Sequence, residues 1–418
     1  MKDIVAVVLA AGKGTRMKSD RPKVLHKILG RPIIHYVLDA VRGAGVKDIV
    51  VVTGYGKDKV RSAVKGLAKV VVQKRLLGSG DAVRSARLAL GRYSGDLLIV
   101  CGDTPLVSSD CLRSIIEKHK KSSASLTILT AHVEDPASYG RVVRGEGGRI
   151  AKITELLDAD TAEERIHEVN VVTYVFRKAD LFSALAEAKP NSKKGEIFLT
   201  DTVEILRRKG KIVEGVAIGD ARTMIGINSR LDLACATEIL KREALNRLME
   251  EGVTIEDPGS TVIFPGVRIG RDSVIHSNTV IESDVEIGER CHIGPFARFR
   301  PGTRLGDGVE VGNFVELVRT TVGDRTRIKH HTYLGDTVIG KDVNVGAGTI
   351  TANFDGVRKN RTVIKDGASI GIGARLVAPV RIGKNSVVGA GAVVTRNHDV
   401  PDGATVAGVP ARILKNNR

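Results

Sequence analysis

A six-residue repeat in the second half of the chain constrains the fold more than any other feature. Bulky apolar residues recur in one phase from Ile263 to Leu317, at positions 263, 269, 275, 281, 287, 293, 299, 305, 311 and 317. An apolar period of six with turn residues between is typical of a parallel β-helix, in which each coil stacks its apolar side chain on the last. The phase slips near Val322 and near Ile339, and the polar stretch 353–362 is predicted to loop out of the stack.

The first half of the chain has a different pattern. Short runs rich in Val, Ile and Leu alternate with helical patterns such as 33–44 and 80–90, and these runs are residues 4–9, 49–53, 69–73 and 97–101. This alternation predicts a parallel sheet with helices on its faces. Ligands of such sheets bind beyond the carboxyl ends of the strands, so we expect a site at that edge.

A helical stretch connects the two halves. Residues 230–250 have helical periodicity and a helix-forming composition, and Gly252 ends the run. We interpret it as an arm between two domains. The predicted organisation is a first domain over 1–228, an arm over 229–252 and a β-helix over 253–418.

The first apolar run opens into a loop that carries Gly12, Gly14 and Arg16, with Lys23 shortly after it. Glycines let backbone N–H groups close on a phosphate, and the two cations can hold its oxyanions. The loop has no Gly-x4-Gly-Lys-Ser/Thr pattern, and Met17 stands where a dinucleotide fingerprint needs glycine. From the glycines alone, a strand-to-helix turn with surface cations explains the stretch equally well.

A carboxylate follows the run 97–101. Asp103 should emerge at a strand end, where a hard cation could bridge it to phosphate oxygens. The alternative is a turn aspartate that precedes Pro105.

The net charge of +17 permits nucleic-acid binding, but only 3% of residues are aromatic and no basic tract occurs. Anionic small substrates, such as nucleotides, sugar phosphates or coenzyme A, explain the surplus better, so we expect no nucleic-acid partner. The cysteines at 101, 111, 235 and 291 lack CxxC spacing, which favours a reducing compartment over disulfides or a zinc cluster. The start, Met1-Lys2-Asp3, leads into the first strand without a visible signal peptide, and no apolar run could span a bilayer. We therefore expect a cytoplasmic protein.

The stretch from Leu9 to Lys23, LAAGKGTRMKSDRPK, resembles the signature loop of sugar-1-phosphate nucleotidylyltransferases. Its continuation, Val24-Leu25-His26, resembles one branch, the bacterial bifunctional N-acetylglucosamine-1-phosphate uridyltransferases/glucosamine-1-phosphate N-acetyltransferases. The resemblance runs from about residue 4 to about residue 412. It implies a Rossmann-like nucleotidyltransferase domain with a mixed, mostly parallel sheet, followed by a left-handed parallel β-helix of hexapeptide repeats. The implied enzyme acetylates glucosamine-1-phosphate with acetyl-CoA, then transfers uridylyl from UTP to N-acetylglucosamine-1-phosphate and releases pyrophosphate.

The resemblance also implies roles in the first domain. Arg16 and Lys23 would act on the phosphates, while Asp103 and Asn228, from Gly226-Ile227-Asn228-Ser229-Arg230, would bind Mg²⁺. The implied nucleotide-binding residues are Leu9, Ala10, Ala11, Gly12, Gln73, Gly78 and Ser79. The implied sugar-binding residues are Gly140, Glu155 and Asn170.

In the second domain, His330-His331-Thr332-Tyr333-Leu334-Gly335-Asp336 resembles the catalytic motif of the family. A neutral imidazole can take a proton from an attacking amine, so we interpret His330 as a general base. The implied acyl-acceptor residues are Arg300, Tyr333, Asn344, Asn353 and Lys359, and the implied acetyl-CoA residues are Ala347 and Ala390. The family assembles its β-helices as trimers, so the resemblance implies a homotrimer.

A β-helix fold alone does not fix a function. γ-Type carbonic anhydrases use it with zinc on three histidines. Here His330 and His331 are adjacent and should point to opposite faces of a strand, while His276 and His292 lie several coils away, which argues against zinc.

Four positions depart from the family pattern. Val318 replaces a Lys that helps to hold the sugar phosphate, and alternation aims the neighbouring Arg319 at the other face unless the local slip re-aims it. Phe354 stands where the family motif has a tyrosine, so a hydroxyl is lost. Ile372 replaces a Ser that contacts the coenzyme, and Cys101 stands where an aromatic or polar residue is usual. In an alternative interpretation, the β-helix has another acyl acceptor or is only a trimerisation scaffold.

Overall fold

The computed structural model describes residues 4–137, 139–191, 195–220, 222 and 225–414. The start, Met1-Lys2-Asp3, lies outside that part. The chain forms two compact units, Met1–Thr237 and Glu238–Arg418. The boundaries 1–228, 229–252 and 253–418 stay a prediction. No helix in the described part is both long and apolar enough to cross a bilayer.

The first unit is built on a mixed sheet. Its strands are β1 (Ile4–Ala10), β2 (Lys27–Ile28), β3 (Arg31–Pro32), β4 (Asp48–Thr53), β5 (Lys69–Val72), β6 (Asp96–Cys101), β7 (Leu126–His132), β8 (Arg141–Arg144), β9 (Ile150–Thr154), β10 (Glu168–Arg177) and β11 (Val213–Ile218). The sheet order is β11-β7-β10-β6-β1-β4-β5, with β8 on β10, β9 on β8 and a separate β2–β3 hairpin. The predicted parallel pairing holds for β1 with β4 and β6. Strand β10 runs antiparallel to β6 and β7, which makes the sheet mixed.

The helices are α1 (Ile33–Gly43), α2 (Lys57–Ala63), α3 (Ser79–Ser85), α4 (Arg87–Leu90), α5 (Ser109–Ser122), α6 (Thr161–Glu164), α7 (Lys178–Glu187), α8 (Asp201–Arg208) and α9 (Arg230–Glu250). Short 3-10 turns cover Thr15–Met17, Lys23–Leu25, Glu146–Gly148 and Leu156–Asp158. The helical pattern predicted over 80–90 is thus two short helices, α3 and α4. The pattern predicted over 230–250 is one continuous helix, α9.

Both faces of the central strand β1 are buried, which explains its unbroken apolar sequence. Ala6 and Val8 belong to the core on one face, while Val5 and Val7 belong to the core on the other. The neighbouring strand β6 lies in parallel register, so that Leu9 pairs with Cys101. The carboxyl ends of β1 and β6 therefore meet at one edge, where the glycine loop and Asp103 begin.

The second unit is a left-handed β-helix with three parallel faces. The first face contains Thr254–Ile255, Val274–Ile275, His292–Ile293, Glu310–Asn313, Arg327–His330, Asn344–Val345, Ser369–Ile370, Val387–Val388, Thr405–Ala407 and, antiparallel at its end, Arg412–Ile413. The second face contains Val262–Ile263, Val280–Ile281, Arg298–Phe299, Glu316–Val318, Tyr333–Gly335, Ile350–Ala352, Arg375–Val377 and Val393–Val394. The third face contains Arg268–Ile269, Val285–Ile287, Thr303–Leu305, Thr321–Val322, Thr337–Ile339, Thr362–Ile364 and Val380–Ile382.

The register of the faces confirms the predicted repeat and its irregularities. The apolar residues of the repeat are buried in one continuous core, for example Ile281 and Phe299 at 0% exposure. Leu305 pairs with Val322, and Val322 with Ile339, one residue fewer than a full coil of the regular part. Ile339 then pairs with Ile364, so the stretch between them contains the loop predicted over 353–362.

Two phenylalanines of the β-helix allow a direct test of this core. Phe299 is fully buried, whereas Phe314 is 53% exposed at a corner with a φ of 56°. We expect Phe299→Ala to lower the free energy of unfolding by about 3–5 kcal/mol, because it empties a packed site. Phe314→Ala should cost less than about 1.5 kcal/mol, the usual worth of an aromatic stack. Urea unfolding of the full chain, followed by far-UV circular dichroism, measures both. Equal losses would contradict this assignment of the core.

Candidate active sites

Two neighbouring cavities open at the carboxyl edge of the first sheet. One, of about 430 Å³, is lined by most of the predicted nucleotide residues: Leu9, Ala11, Gly12, Gln73, Gly78 and Ser79. The other, of about 400 Å³, is lined by the three predicted sugar residues, Gly140, Glu155 and Asn170, together with Arg16, Asp103 and Asn228. Ala10 is buried at 5% exposure in the end of β1. The structure thus brings the predicted residues of the first domain to one place.

The glycine loop and Lys23 pack directly on each other. Gly14 has a φ of 64°, and a Cβ on it would lie 2.8 Å from the Cβ of Lys23. Only glycine combines that backbone conformation with so close an approach. The packing fixes the lysine stem beside the loop and directs its ammonium toward the second cavity.

The Lys23 ammonium lies between the two predicted metal ligands. It donates a hydrogen bond to Oδ1 of Asn228 at 3.0 Å and forms a close ion pair with Asp103. Asp103 and Asn228 therefore already share one cation. A carboxylate and an amide oxygen are hard donors of the kind that Mg²⁺ prefers. Among the described residues no three His, Cys, Asp or Glu side chains are grouped to hold a metal, so these two would need further oxygen ligands from a substrate.

Cys101 lines both cavities, at the point where they meet. Burial, aided by the nearby Asp103 carboxylate, raises the pKa of the Cys101 thiol far above its usual range. The thiol therefore stays neutral near pH 7, and a neutral thiol is a poor nucleophile.

Several contacts around the metal ligands were missed by the sequence reasoning. Asp232 accepts a hydrogen bond from the backbone N–H of Asn228 at 2.8 Å and so fixes that segment. Arg230 donates to the carbonyl of Met17 at 3.3 Å and lies 3.2 Å from Nδ1 of His26. Burial and the charge of Arg230 lower the pKa of His26, so the neutral ring can accept from that guanidinium. The only sequence signal was the arginine that closes the Gly-x-Asn-x-Arg segment.

A second missed segment links the nucleotide and sugar cavities. The N–H of Leu199 donates to Oγ of Ser79, and Thr200 Oγ1 donates to Oε1 of Glu155, both at 3.0 Å. Burial and neighbouring carboxylates, Glu155 first among them, raise the pKa of Asp201 to about 6. No motif in the sequence indicates these contacts, because they join residues far apart in the chain.

In the β-helix, the predicted base and coenzyme residues form one column. By strand register, His330, Ala347, Ile372 and Ala390 follow one another at the corner between the first and second faces. Ile372, one of the departures from the family, is 66% exposed within this column. Within the described residues, the His330 imidazole makes no hydrogen bond or ion pair, so its nitrogens are available to a substrate.

At the next position of the same corner, the residues are aromatic up to His331 and glycine in the coils that follow. Phe296, Phe314 and His331 stack with ring centroids 5.2 and 5.1 Å apart, and all three have positive φ. In the following coils the same position is glycine, namely Gly348, Gly373 and Gly391. The aromatic stack therefore gives way to a strip without side chains that runs beside Ala347 and Ala390. A flexible chain could lie close to the backbone there.

Two of the predicted acceptor residues, Tyr333 and Asn353, meet around Gly335. A Cβ on Gly335 would lie 2.6 Å from Nδ2 of Asn353 and 2.8 Å from the hydroxyl of Tyr333. Asn353 is buried and donates to Oδ2 of Asp336 at 2.5 Å. The structure places the other three predicted residues separately. Arg300 lies beside Glu316 at 3.2 Å, Asn344 is exposed on the first face, and Lys359 lies in the loop, where its backbone is bridged to the 60% exposed Phe354.

Val318, which replaces the lysine of the family, and its neighbour Arg319 lie in different surroundings. Val318 is buried at 2% exposure. Arg319 occupies the corner with a φ of 49°, and its guanidinium pairs with Asp336 beside Asn353. Because of the local slip, the Arg319 side chain points toward Asp336. Simple alternation along the strand does not describe this direction.

Comparisons of the sequence with protein-family models and with relatives agree with this architecture. Residues 6–204 match the MobA-like NTP transferase domain, and 266–301, 284–319 and 361–396 match the bacterial transferase hexapeptide. The chain is 43% identical to the bifunctional protein GlmU of Pelotomaculum thermopropionicum over 90% of both chains. It is 41% identical to that of Heliobacterium modesticaldum, over 99% of this chain and 97% of the relative. A solved UDP-glucose pyrophosphorylase complexed with UDP-glucose is 21% identical, with a TM-score of 0.47, over 57% of this chain and 98% of its own.

Fold and sites together define a nucleotidyltransferase joined to a hexapeptide acyltransferase. The extent of the similarity then settles the family: the chain belongs to the bifunctional GlmU proteins. It is accordingly a bifunctional enzyme of UDP-N-acetylglucosamine synthesis, a uridyltransferase and an acetyltransferase in one chain.

Proposed function

We propose that the first unit binds UTP and N-acetylglucosamine-1-phosphate in its two adjoining cavities, with Mg²⁺ held by Asp103 and Asn228. The observation that carries this is the shared cation position between those two side chains, which the Lys23 ammonium occupies. When bound there, the metal would neutralise phosphate charge in the reaction. The nucleobase and sugar assignments rest on the family resemblance and on which cavity each residue lines.

The residues of this chain would act by alignment and charge. The sugar phosphate is already an anion, so its attack on the α-phosphorus needs no covalent intermediate. Arg16 and Lys23 would reduce the repulsion between two anionic substrates, and Glu155 and Asn170 would orient the sugar. Asn170 donates to the Tyr174 hydroxyl at 2.7 Å, which holds its amide in the cavity wall.

In the second unit, His330 would take the proton of the glucosamine-1-phosphate amine as that amine attacks the acetyl-CoA thioester. The coenzyme would lie along the column of Ala347 and Ala390, beside the glycine strip. Exposed Ile372 would give it an apolar contact in place of the lost hydroxyl. Arg300, Tyr333, Asn344, Asn353 and Lys359 would hold the acceptor.

We also propose that the enzyme is a cytoplasmic homotrimer. The family supports the trimer, and the free imidazole of His330 would allow a neighbouring subunit to complete the site. The four cysteines are scattered without CxxC spacing, which supports a reducing compartment. A second candidate function, another acyl acceptor or a scaffold only, is favoured by Val318 and Ile372. Incubation with Mg²⁺, UTP, acetyl-CoA and glucosamine-1-phosphate separates them, because only the first gives UDP-N-acetylglucosamine.

Asp103→Asn tests the proposed metal position. The substitution keeps the shape of the side chain and removes its charge, so we expect the Mg²⁺ concentration for half-maximal uridylyl transfer to rise at least tenfold. Acetyl transfer by the same variant should be unchanged, which controls for folding. Asp135→Asn, in an exposed loop, is a matched control. An unchanged metal requirement would contradict the assignment of Asp103.

A further inference from the structure

Arg319 lies at the corner between the second and third faces of the β-helix. Its Nε donates to Oδ1 of Asp336 at 2.5 Å, and one terminal nitrogen donates to Oδ2 at 2.8 Å. This edge-on pair leaves the other terminal nitrogen without a hydrogen bond among the described residues. Two N–H donors and a positive charge are therefore available to a ligand.

The surroundings of this pair are polar and cationic. Oδ2 of Asp336 also accepts from Asn353, whose amide meets the Tyr333 hydroxyl over Gly335. Lys359 is close enough for its charge to stabilise the Asp336 carboxylate, yet its ammonium has no hydrogen bond or ion pair within the described residues. Two cations thus share one carboxylate, and the excess positive charge faces the acceptor residues.

Arg325 forms a comparable ion pair and shows which contacts are particular to Arg319. Arg325 pairs with Asp342 through the same two contacts, at 2.8 Å each, and also sits at a corner with positive φ. Its other charged neighbours are Lys341 and Asp324. An arginine–aspartate pair between coils is therefore a structural device of this β-helix. Only the Arg319 pair stands beside Tyr333 and Asn353.

We propose that Arg319, together with Lys359, binds the phosphate of the acyl acceptor and sets the preference for a phosphorylated amino sugar. This inference rests on the proposed acetyltransferase site. The neighbouring Val318 is buried and uncharged, so the strand Glu316–Val318 supplies no cation of its own. The phosphate competes with Asp336 for the guanidinium, and planar bidentate recognition of phosphate is what arginine provides best.

The test is the ratio of kcat/KM for glucosamine-1-phosphate to that for glucosamine, in the full chain with acetyl-CoA. We expect Arg319→Met to lower this ratio by about 10- to 100-fold, the worth of a charge-assisted hydrogen bond, through the KM for the phosphorylated sugar. Arg319→Lys should recover part of it. Arg325→Met, the matched control, should keep the ratio within twofold, and uridylyl transfer should be unaffected in all three.

Asp336→Asn separates phosphate binding from a positioning role. The substitution removes the carboxylate that competes with the phosphate, and the new amide oxygen can still accept from Asn353. The ratio of kcat/KM for glucosamine-1-phosphate to that for glucosamine should therefore stay equal or rise. A fall matching that of Arg319→Met, or an Arg319→Met ratio within twofold of wild type, would overturn the proposal. If the wild type acetylates neither sugar, the proposed acetyltransferase assignment fails by itself. Calorimetric binding of glucosamine-1-phosphate, with UDP-N-acetylglucosamine saturating the first unit, then decides the role of Arg319 by the same variants.

Discussion

Lys23→Met should lower the rate of uridylyl transfer by about 10³-fold, because a positioned cation that screens phosphoryl transfer is worth several kcal/mol. The methionine keeps the length of the side chain, and its stem can still pack on Gly14. The loss should therefore fall on kcat, with the fold intact. Steady-state kinetics with UTP and N-acetylglucosamine-1-phosphate measures it.

The same substitution should have the opposite effect on metal binding. The ammonium of Lys23 contacts the side-chain oxygens of Asp103 and Asn228. A divalent cation must displace it, so its removal should strengthen Mn²⁺ binding to the nucleotide-free protein at least tenfold. Electron paramagnetic resonance counts free Mn²⁺ directly. Unchanged or weaker Mn²⁺ binding would show that the lysine does not compete for this position.

Lys27→Met is the control for both measurements, since Lys27 is an exposed lysine four residues along the chain. It should leave kcat and Mn²⁺ binding at the wild-type level. Acetyl transfer, measured on the same preparations, reports whether each variant is folded. Near-normal uridylyl transfer by Lys23→Met would remove Lys23 from the reaction.

The fold was predictable where one residue period dominated the sequence. The six-residue repeat gave the buried positions of the β-helix, because each coil must bury one side chain at the same place. The slips at Val322 and Ile339 were visible for the same reason. The antiparallel direction of β10 could not be predicted. A strand buried on both faces is apolar whether it runs parallel or antiparallel to its neighbours.

The candidate sites were predictable where a motif is local. Asp103 follows its strand directly, and the register of β1 with β6 then places it beside the glycine loop. The contacts of Thr200 with Glu155 and of Arg230 with Met17 join distant parts of the chain, so no local pattern could reveal them. The direction of Arg319 depended on a corner with positive φ, which arginine rarely adopts and the sequence alone does not indicate.

His330→Ala should lower acetyl transfer by about 10²- to 10⁴-fold, the usual contribution of a general base. The amine of the acceptor must lose a proton as it attacks the thioester, and His330 begins the column that contains Ala347 and Ala390. The KM values for acetyl-CoA and the acceptor should change little, because the imidazole would act mainly on the proton. Thioester consumption and product formation, followed together, measure the effect.

The adjacent histidine provides a close control. His331 lies in the corner turn, where its ring stacks on Phe314, so His331→Ala should keep acetyl transfer within about threefold of wild type. Exogenous imidazole should restore part of the activity of His330→Ala and none in the control. Because uridylyl transfer belongs to the other unit, it should be normal in both variants. Equal acetyl transfer by wild type and His330→Ala would remove His330 from the mechanism, whereas a scaffold alone would give no acetyl transfer with either protein.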